Sequence, residues 1–95
     1  MKYIIFFAPE ALADLNKLKA TERAKVRDMV RTILGSEPTK ITRSRIKRLR
    51  GLSKPQYRLR VDDIRIYYDV HGDEVEVLAV IPKSGAEEWL AGVGG

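Results

Sequence analysis

Two neighbouring stretches in the second half of the chain alternate between apolar and polar side chains. Residues 57–61 read Tyr-Arg-Leu-Arg-Val, and residues 64–70 read Ile-Arg-Ile-Tyr-Tyr-Asp-Val. Successive side chains of a strand point to opposite faces, so each stretch predicts a strand with one apolar and one polar face. If the two strands pair as a hairpin, their polar faces coincide. That shared face then carries Arg58, Arg60, Arg65 and Tyr67.

Hydrophobic periodicity predicts a strand and two helices before this hairpin. Residues 2–8 form a nearly continuous apolar run, which favours a strand covered on both faces, as an inner strand is. Residues 10–18 repeat leucine at helical spacing, and a second amphipathic helix is predicted to begin at Thr21 as its N-cap. Gly35 is expected to end that helix in a left-handed conformation.

After the hairpin the pattern predicts one more strand and a final short helix. Gly72 is expected to supply a positive φ in a tight turn, and residues 74–81 alternate as a strand that is apolar enough to be central. Residues 86–90 suit a short closing helix, with Ser84 as its cap. Residues 39–50 contain few apolar anchors and fit a loop, a short helix or a partial strand.

The composition describes one small domain without disulfides. Ninety-five residues with 44% hydrophobic and 33% charged side chains suit a single globular domain, expected over residues 1–91, with a disordered glycine-rich tail at 92–95. No apolar run reaches a membrane span or a signal-peptide core, so a cytoplasmic location is expected. With no cysteine and one histidine, the sequence predicts no metal site and no cofactor.

The charge is segregated along the chain. Nine of the 18 Lys and Arg residues lie between Pro38 and Val61 with no acid among them, whereas Lys83 is the one base after Ile66. A net charge of +5 and a pI near 9.7 favour a nucleic acid or an acidic protein as partner. The run is therefore a candidate surface for a polyanion, and its basic residues are Lys40, Arg43, Arg45, Lys47, Arg48, Arg50 and Lys54, followed by Arg58 and Arg60.

The order of these elements resembles the RelE/ParE superfamily of toxins from type II toxin-antitoxin systems. The resemblance rests on an opening strand and helical hairpin over residues 3–34, Lys-Arg-Leu-Arg-Gly at 47–51, Tyr-Arg-Leu-Arg at 57–60, Arg-Ile-Tyr-Tyr-Asp-Val at 65–70, and a strand at 75–80. It implies an α+β fold with a β-α-α-β-β-β core, an antiparallel-rich sheet packed by the helical hairpin, and a short C-terminal helix. It also implies an antitoxin that wraps and neutralises the toxin.

The RelE-like branch, which the residues favour, implies metal-independent cleavage of messenger RNA on the ribosome. In that branch the 2′-OH attacks the neighbouring phosphate and leaves a 2′,3′-cyclic phosphate. Arg58 and Arg60 lie where the branch commonly has two lysines, and Arg65 matches its transition-state arginine. The resemblance also implies that the basic residues from Lys40 to Lys54 bind RNA. Lys83 is the candidate for the proton-transfer role, and Tyr67 either stacks on a base or packs in the sheet.

Three departures keep other functions open. The C-terminal basic and aromatic positions usual in RelE-like enzymes are replaced here by residues 82–85 and Trp89, and arginine is a poor general base because it stays protonated. A ParE-like inhibitor of DNA gyrase, or a non-catalytic member that binds antitoxin and operator DNA, therefore remains an alternative. The basic run could also be a solvated loop, and the strand arginines could pair structurally with Asp62, Asp63 or Asp69.

Overall fold

A five-stranded sheet with helices on both faces forms the molecule, for which we describe residues 2–51 and 53–94 of a computed structural model. The helices are α1 (Pro9–Lys17), α2 (Ala20–Met29), which continues as a π-helical turn (Val30–Leu34), and α3 (Lys83–Gly94). The strands are β1 (Ile4–Phe7), β2 (Ile46–Arg48), β3 (Tyr57–Val61), β4 (Ile64–His71) and β5 (Glu74–Pro82).

The strand order is β1-β5-β4-β3-β2. Every neighbouring pair is antiparallel except β1 and β5, which are parallel. The sequence-based α+β prediction is confirmed, as are the inner position of the last strand and the β3–β4 hairpin. The open question over residues 39–50 resolves as a partial strand, because β2 covers three residues of it.

The hydrophobic core lies between α1, α2 and one face of the sheet. Ala11 and Leu15 of α1 and Val26 of α2 are buried against the apolar side chains of the central strands, which are 0–5% exposed. These strand residues are Leu59, Val61, Ile64, Ile66, Tyr68, Val75, Val77 and Val80. At about 25 cal/mol per Å² of apolar surface removed from water, this layer is the main stabilising contribution to the fold.

A buried hydrogen bond joins β4 to the segment that leads into the basic run. The hydroxyl of Tyr68, a fully buried residue, donates to the carbonyl of Pro38 at 2.6 Å. The Tyr68 ring also stacks on Tyr57 with a centroid distance of 5.4 Å. The start of the segment between the helices and β2 is therefore fixed to the sheet.

The prediction of an inner first strand is wrong. β1 is an edge strand, and its outward side chains Ile4 and Phe6 are 59% and 41% exposed. Its apolar run reflects two unlike environments, with Ile5 and Phe7 packed on the core and their neighbours on the opposite face. Apolar content alone does not distinguish a covered face from an open one.

The prediction that Gly35 is left-handed is also wrong, although glycine is required there. Its φ is −72°, but a Cβ at this position would lie 2.3 Å from the carbonyl oxygen of Arg31. The close approach follows from the π-helical turn, and the Gly35 carbonyl accepts a hydrogen bond from Tyr3 N at 2.8 Å. Gly72, by contrast, has the predicted positive φ of 62°.

Three predicted helix boundaries differ in the structure. Helix α2 begins before Thr21, with Lys19 at its N-cap, where the backbone N–H of Lys19 donates to Oε1 of Glu22 at 3.3 Å. Helix α3 begins at Lys83, so Ser84 lies inside its first turn instead of capping it. The same helix extends through residues 92–94, which we had expected to be disordered, and Gly95 lies outside the described residues.

Candidate functional site

Arg58, Arg60 and Arg65 lie on one face of the sheet, as predicted. Arg60 is directly opposite Arg65 in the β3–β4 pairing, and Arg58 is opposite Tyr67. Directly opposed side chains in an antiparallel pair have Cβ atoms roughly 4.5–5.5 Å apart. We call these three residues the arginine cluster, and we call the sheet side that bears them, opposite α1 and α2, the arginine face.

Ion pairing does not account for the arginine cluster. Within residues 2–51 and 53–94, no carboxylate lies within 4.0 Å of any of the three guanidinium groups. Asp62 pairs instead with Lys25 at 2.7 Å, and Oδ1 of Asp69 accepts the backbone N–H of Gln56 at 2.7 Å. The structural alternative, in which aspartates neutralise these arginines across the strands, is therefore not what the fold adopts.

Arg65 is the most rigidly held member of the cluster. It is 8% exposed, and its Nη1 donates to the backbone carbonyls of Asp62 at 3.0 Å and Ile64 at 3.4 Å. Asp62 itself has a positive φ of 52°, which turns the chain tightly between β3 and β4. The turn thus fixes the position of one guanidinium group at the end of the arginine face.

Arg58 is half-buried and incompletely hydrogen-bonded. Its Nε is buried with no hydrogen-bond partner among the described residues. Burial lowers the pKa of Arg58, and the charges of Arg65 and Arg60 lower it further, opposed by Tyr67. Since repulsion among three neighbouring cations is relieved by an anion, this arrangement favours a ligand with several acceptor oxygens.

Tyr67 does not present its ring to a base, contrary to one sequence-based expectation. It is 1% exposed, and its ring stacks on Trp89 of α3 with a centroid distance of 4.8 Å and an interplanar angle of 19°. Burial raises the pKa of Tyr67, while Arg58 and Arg65 oppose that rise. Tyr67 is therefore a buried, uncharged side chain beside the arginine cluster, and α3 covers it.

The basic run does not form one surface. Lys47 extends the arginine face because it pairs directly with Arg58. Arg48 points to the other side of the sheet, where its guanidinium lies 5.0 Å from the Tyr57 ring centroid. Its Nη1 also donates to the carbonyl of Gln56 at 2.6 Å.

The other basic residues of the run lie around the sheet edge. Arg45 donates through Nη1 to Sδ of Met29 at 3.7 Å, and Lys40 pairs with Glu37 at 3.5 Å. Both contacts are with the end of the second helical segment or the loop that follows it. The exposed members Arg43, Arg50 and Lys54 complete the set.

Lys83 lies at the end of the sheet nearest the β3–β4 turn. Its backbone N–H donates to the carbonyl of Asp63 at 2.7 Å, and its side chain is exposed. It follows β5 by one residue, and Ile81 of β5 pairs with Arg65. Lys83 is therefore close to the cluster along the sheet, but no side-chain contact joins it to an arginine within the described residues.

The sequence analysis did not assign Trp89 to a face of the sheet. Trp89 packs on the arginine face beside the cluster, where it stacks on the buried Tyr67. A signal was available, because an apolar residue in a helix after the last strand must pack on whichever sheet face the first two helices leave open.

The described residues contain no helix that is both long and apolar enough to cross a membrane.

Comparisons with known proteins agree with this fold. Residues 5–86 match the family model described as the ParE toxin of type II toxin-antitoxin systems, parDE. None of the curated proteins searched matches the chain. Two of the similar solved structures described next are a toxin-antitoxin complex and a toxin.

Three such structures illustrate the likeness. The RelBE2 toxin-antitoxin complex of Mycobacterium tuberculosis is 25% identical with a TM-score of 0.76, covering 86% of this chain and 99% of that chain. A mutant of the E. coli toxin RelE in the free state is 26% identical with a TM-score of 0.68, covering 94% of this chain and 92% of that chain. The YoeB dimer of Staphylococcus aureus, at 16% identity and a TM-score of 0.61 over 83% and 94%, shares the fold. The chain belongs to the ParE toxin family, within the RelE/ParE superfamily of type II toxin-antitoxin toxins.

Proposed function

We propose that this toxin is a ribosome-dependent endoribonuclease that cleaves messenger RNA without a metal and is neutralised by a cognate antitoxin. The observation that carries the proposal is the arginine cluster, whose three guanidinium groups share one sheet face without a carboxylate partner among the described residues. Guanidinium groups offer a permanent charge and a planar fork of donors suited to phosphate oxygens. The second support is the likeness to RelE at 26% identity.

In the proposed reaction the cluster stabilises charge that develops on the scissile phosphate. The 2′-oxygen forms a bond to phosphorus and loses its proton, and the bond from phosphorus to the 5′-oxygen breaks. The products are a 2′,3′-cyclic phosphate and a 5′-oxyanion, which takes up a proton to become a 5′-hydroxyl. Donors aimed at the transition-state charge are typically worth about 10²–10³ in rate each. Arg65 is pre-positioned by the Asp62 carbonyl, and Arg58 supplies an unsatisfied Nε.

Proton transfer needs a group that the arginines do not supply. Arginine side chains stay protonated in proteins and are therefore poor general bases. We assign this role to Lys83, since it is exposed and follows the strand that pairs with Arg65. Tyr67 is a weaker candidate because burial raises its pKa and Trp89 covers its ring.

The proposed partners follow from charge. A chain of net charge +5 is suited to an acidic antitoxin and to ribosomal and messenger RNA, with operator DNA reached through the antitoxin. Lys47 extends the arginine face toward the sheet edge, where the exposed Arg43 and Arg50 follow. We place these interactions in the cytoplasm.

A second candidate function is inhibition of DNA gyrase by binding alone. The family match to ParE favours it, and so does an arginine cluster that lacks a contacting general base among the described side chains. A member that only binds antitoxin and operator DNA is the third form. Both alternatives use the fold as a docking surface without RNA chemistry.

One pair of assays separates these functions. Purified protein is added to translating ribosomes and messenger RNA ends are mapped, and in parallel to a gyrase supercoiling reaction. We expect cuts in codon register and unaltered supercoiling. Arg60→Ala should reduce cutting strongly, while Arg27→Ala, an equal loss of charge on the exposed side of α2, should not. Inhibited supercoiling without cuts would support the gyrase alternative. If the protein causes neither cuts nor inhibition of supercoiling, the antitoxin-binding form is supported.

A further inference from the structure

A second cluster of polar side chains lies on the same face of the sheet as the arginine cluster, farther along β4 toward the turn that joins it to β5. Ligand atoms of Asp69, His71 and Glu76 all lie within 4.8 Å of one another. Asp69 and Glu76 are paired directly across β4 and β5, and His71 follows Asp69 by two positions on the same face of β4. Two antiparallel strands therefore hold one imidazole and two carboxylates together.

Asp69 is a buried carboxylate that no Lys or Arg among the described residues neutralises. Its side chain is 3% exposed, and Oδ1 is held by the backbone N–H of Gln56 at 2.7 Å. Within residues 2–51 and 53–94 no Lys or Arg pairs with it, and the nearest basic group to Oδ2 is Nε2 of His71 at 3.9 Å. Burying a carboxylate is costly unless a positive partner compensates it.

The pairing of Asp69 with Glu76 adds a second cost. Like charges directly opposite each other on neighbouring strands repel and destabilise the pair. Glu74 pairs with His71 and increases the negative charge at this end of the hairpin. A bound cation would remove both costs at once, because both carboxylates face it.

We propose that Asp69, His71 and Glu76 bind a Zn²⁺ ion. One imidazole nitrogen with two carboxylate oxygens is a ligand set suited to zinc, whereas Mg²⁺ and Ca²⁺ prefer oxygen alone. Zinc bonds of about 2.1 Å in a tetrahedron place ligand atoms roughly 3.4 Å apart. The 3.9 Å between His71 and Asp69 needs to close by about 0.5 Å on that geometry, and the widest separation in the set, at most 4.8 Å, by at most about 1.4 Å. The His71 side chain is 57% exposed.

The zinc site shares no residue with the arginine cluster but lies on the same face of the sheet. Asp69 lies four residues beyond Arg65, or roughly 13 Å along a strand, and two residues beyond Tyr67, which pairs with Arg58. Its backbone-held oxygen acts as an outer constraint that orients the other oxygen toward the ion. The ion would join β4 to β5 near their connecting turn and stabilise the hairpin that carries Arg65 and Tyr67.

Zinc binding is measured by equilibrium dialysis and by thermal unfolding, on protein from which any histidine tag has been removed. We expect one Zn²⁺ per chain at micromolar free zinc, an increase in Tm, and no equivalent effect of Mg²⁺. His71→Ala and Glu76→Gln should each weaken binding at least about tenfold. Glu74→Gln, which removes the same charge from the neighbouring position, should change it less than about twofold.

Three outcomes would overturn the proposal. They are the absence of saturable zinc binding by the folded protein, equal loss of affinity in Glu74→Gln and Glu76→Gln, and equal binding of Mg²⁺. The second and third would indicate a diffuse acidic surface without a defined site. Glu74 is exposed and Glu76 is half-buried, so we expect Glu74→Gln and Glu76→Gln to fold. Cooperative unfolding of each variant checks this.

Discussion

Removing one hydroxyl group from Tyr68 tests how the segment before the basic run is held. Tyr68→Phe keeps the buried ring and its stacking on Tyr57 but deletes the 2.6 Å hydrogen bond to the carbonyl of Pro38. Since both residues are buried, the carbonyl is left without its partner, which costs about 1–3 kcal/mol. For a domain of this size each kcal/mol lowers Tm by roughly 4–8 °C.

We therefore expect Tyr68→Phe to lower the free energy of unfolding by about 2 kcal/mol and Tm by roughly 8–16 °C. Chemical denaturation at pH 7 and a thermal melt provide the two measurements. Tyr57→Phe is the matched control, because its hydroxyl has no hydrogen-bond partner among the described residues, and it should change stability by less than about 0.5 kcal/mol. Equal effects in the two variants would refute the assignment of the cost to the Pro38 hydrogen bond.

Three further predictions concern charge and cover. Burial raises the pKa of Tyr68, so above about pH 10 this tyrosine ionises in the unfolded chain before it does in the folded protein, and the free energy of unfolding should fall as pH rises from there. Urea titrations with chelator present should show a smaller fall in Tyr68→Phe. Trp89→Ala should uncover Tyr67 and move its raised pKa back toward 10, as followed by NMR of ¹³C-labelled tyrosine, and an unchanged value would contradict the role of Trp89 as its cover. Arg60→Ala should reduce the slope of log affinity for single-stranded RNA against log salt by about 0.7, with Arg27→Ala unchanged, and equal slopes would place Arg60 away from the RNA backbone.

The arginine face could be predicted from sequence because strand alternation has a strict period of two. Once Arg58, Arg60 and Arg65 occupy polar positions of a hairpin, its short turn leaves little freedom in the register. The fold class was implied by the resemblance to the RelE/ParE superfamily, which rests on the motifs and their order. The prediction of the arginine face used a local pattern whose geometry is nearly fixed by the backbone.

The features that the sequence did not predict depend on contacts between residues that are distant in sequence. The edge position of β1 follows from its parallel pairing with β5, about 70 residues later, and no local pattern encodes that choice. The cover of Tyr67 by Trp89 depends on the path of α3 across the sheet. Likewise, Asp69 and Glu76 meet only through the β4–β5 register, which includes an irregularity at residues 67 and 68 that shifts the pairing by one.

The measurement that tests the central claim most directly is single-turnover cleavage of ribosome-bound messenger RNA by Arg58→Ala beside Arg27→Ala. Arg58 contributes the buried, unpartnered Nε, whereas Arg27 is exposed on α2. If the arginine cluster binds the scissile phosphate, Arg58→Ala should cleave about 10²–10³ times more slowly than the wild type while Arg27→Ala stays within about twofold, with antitoxin binding retained by both. Wild-type cleavage by folded Arg58→Ala would contradict the claim.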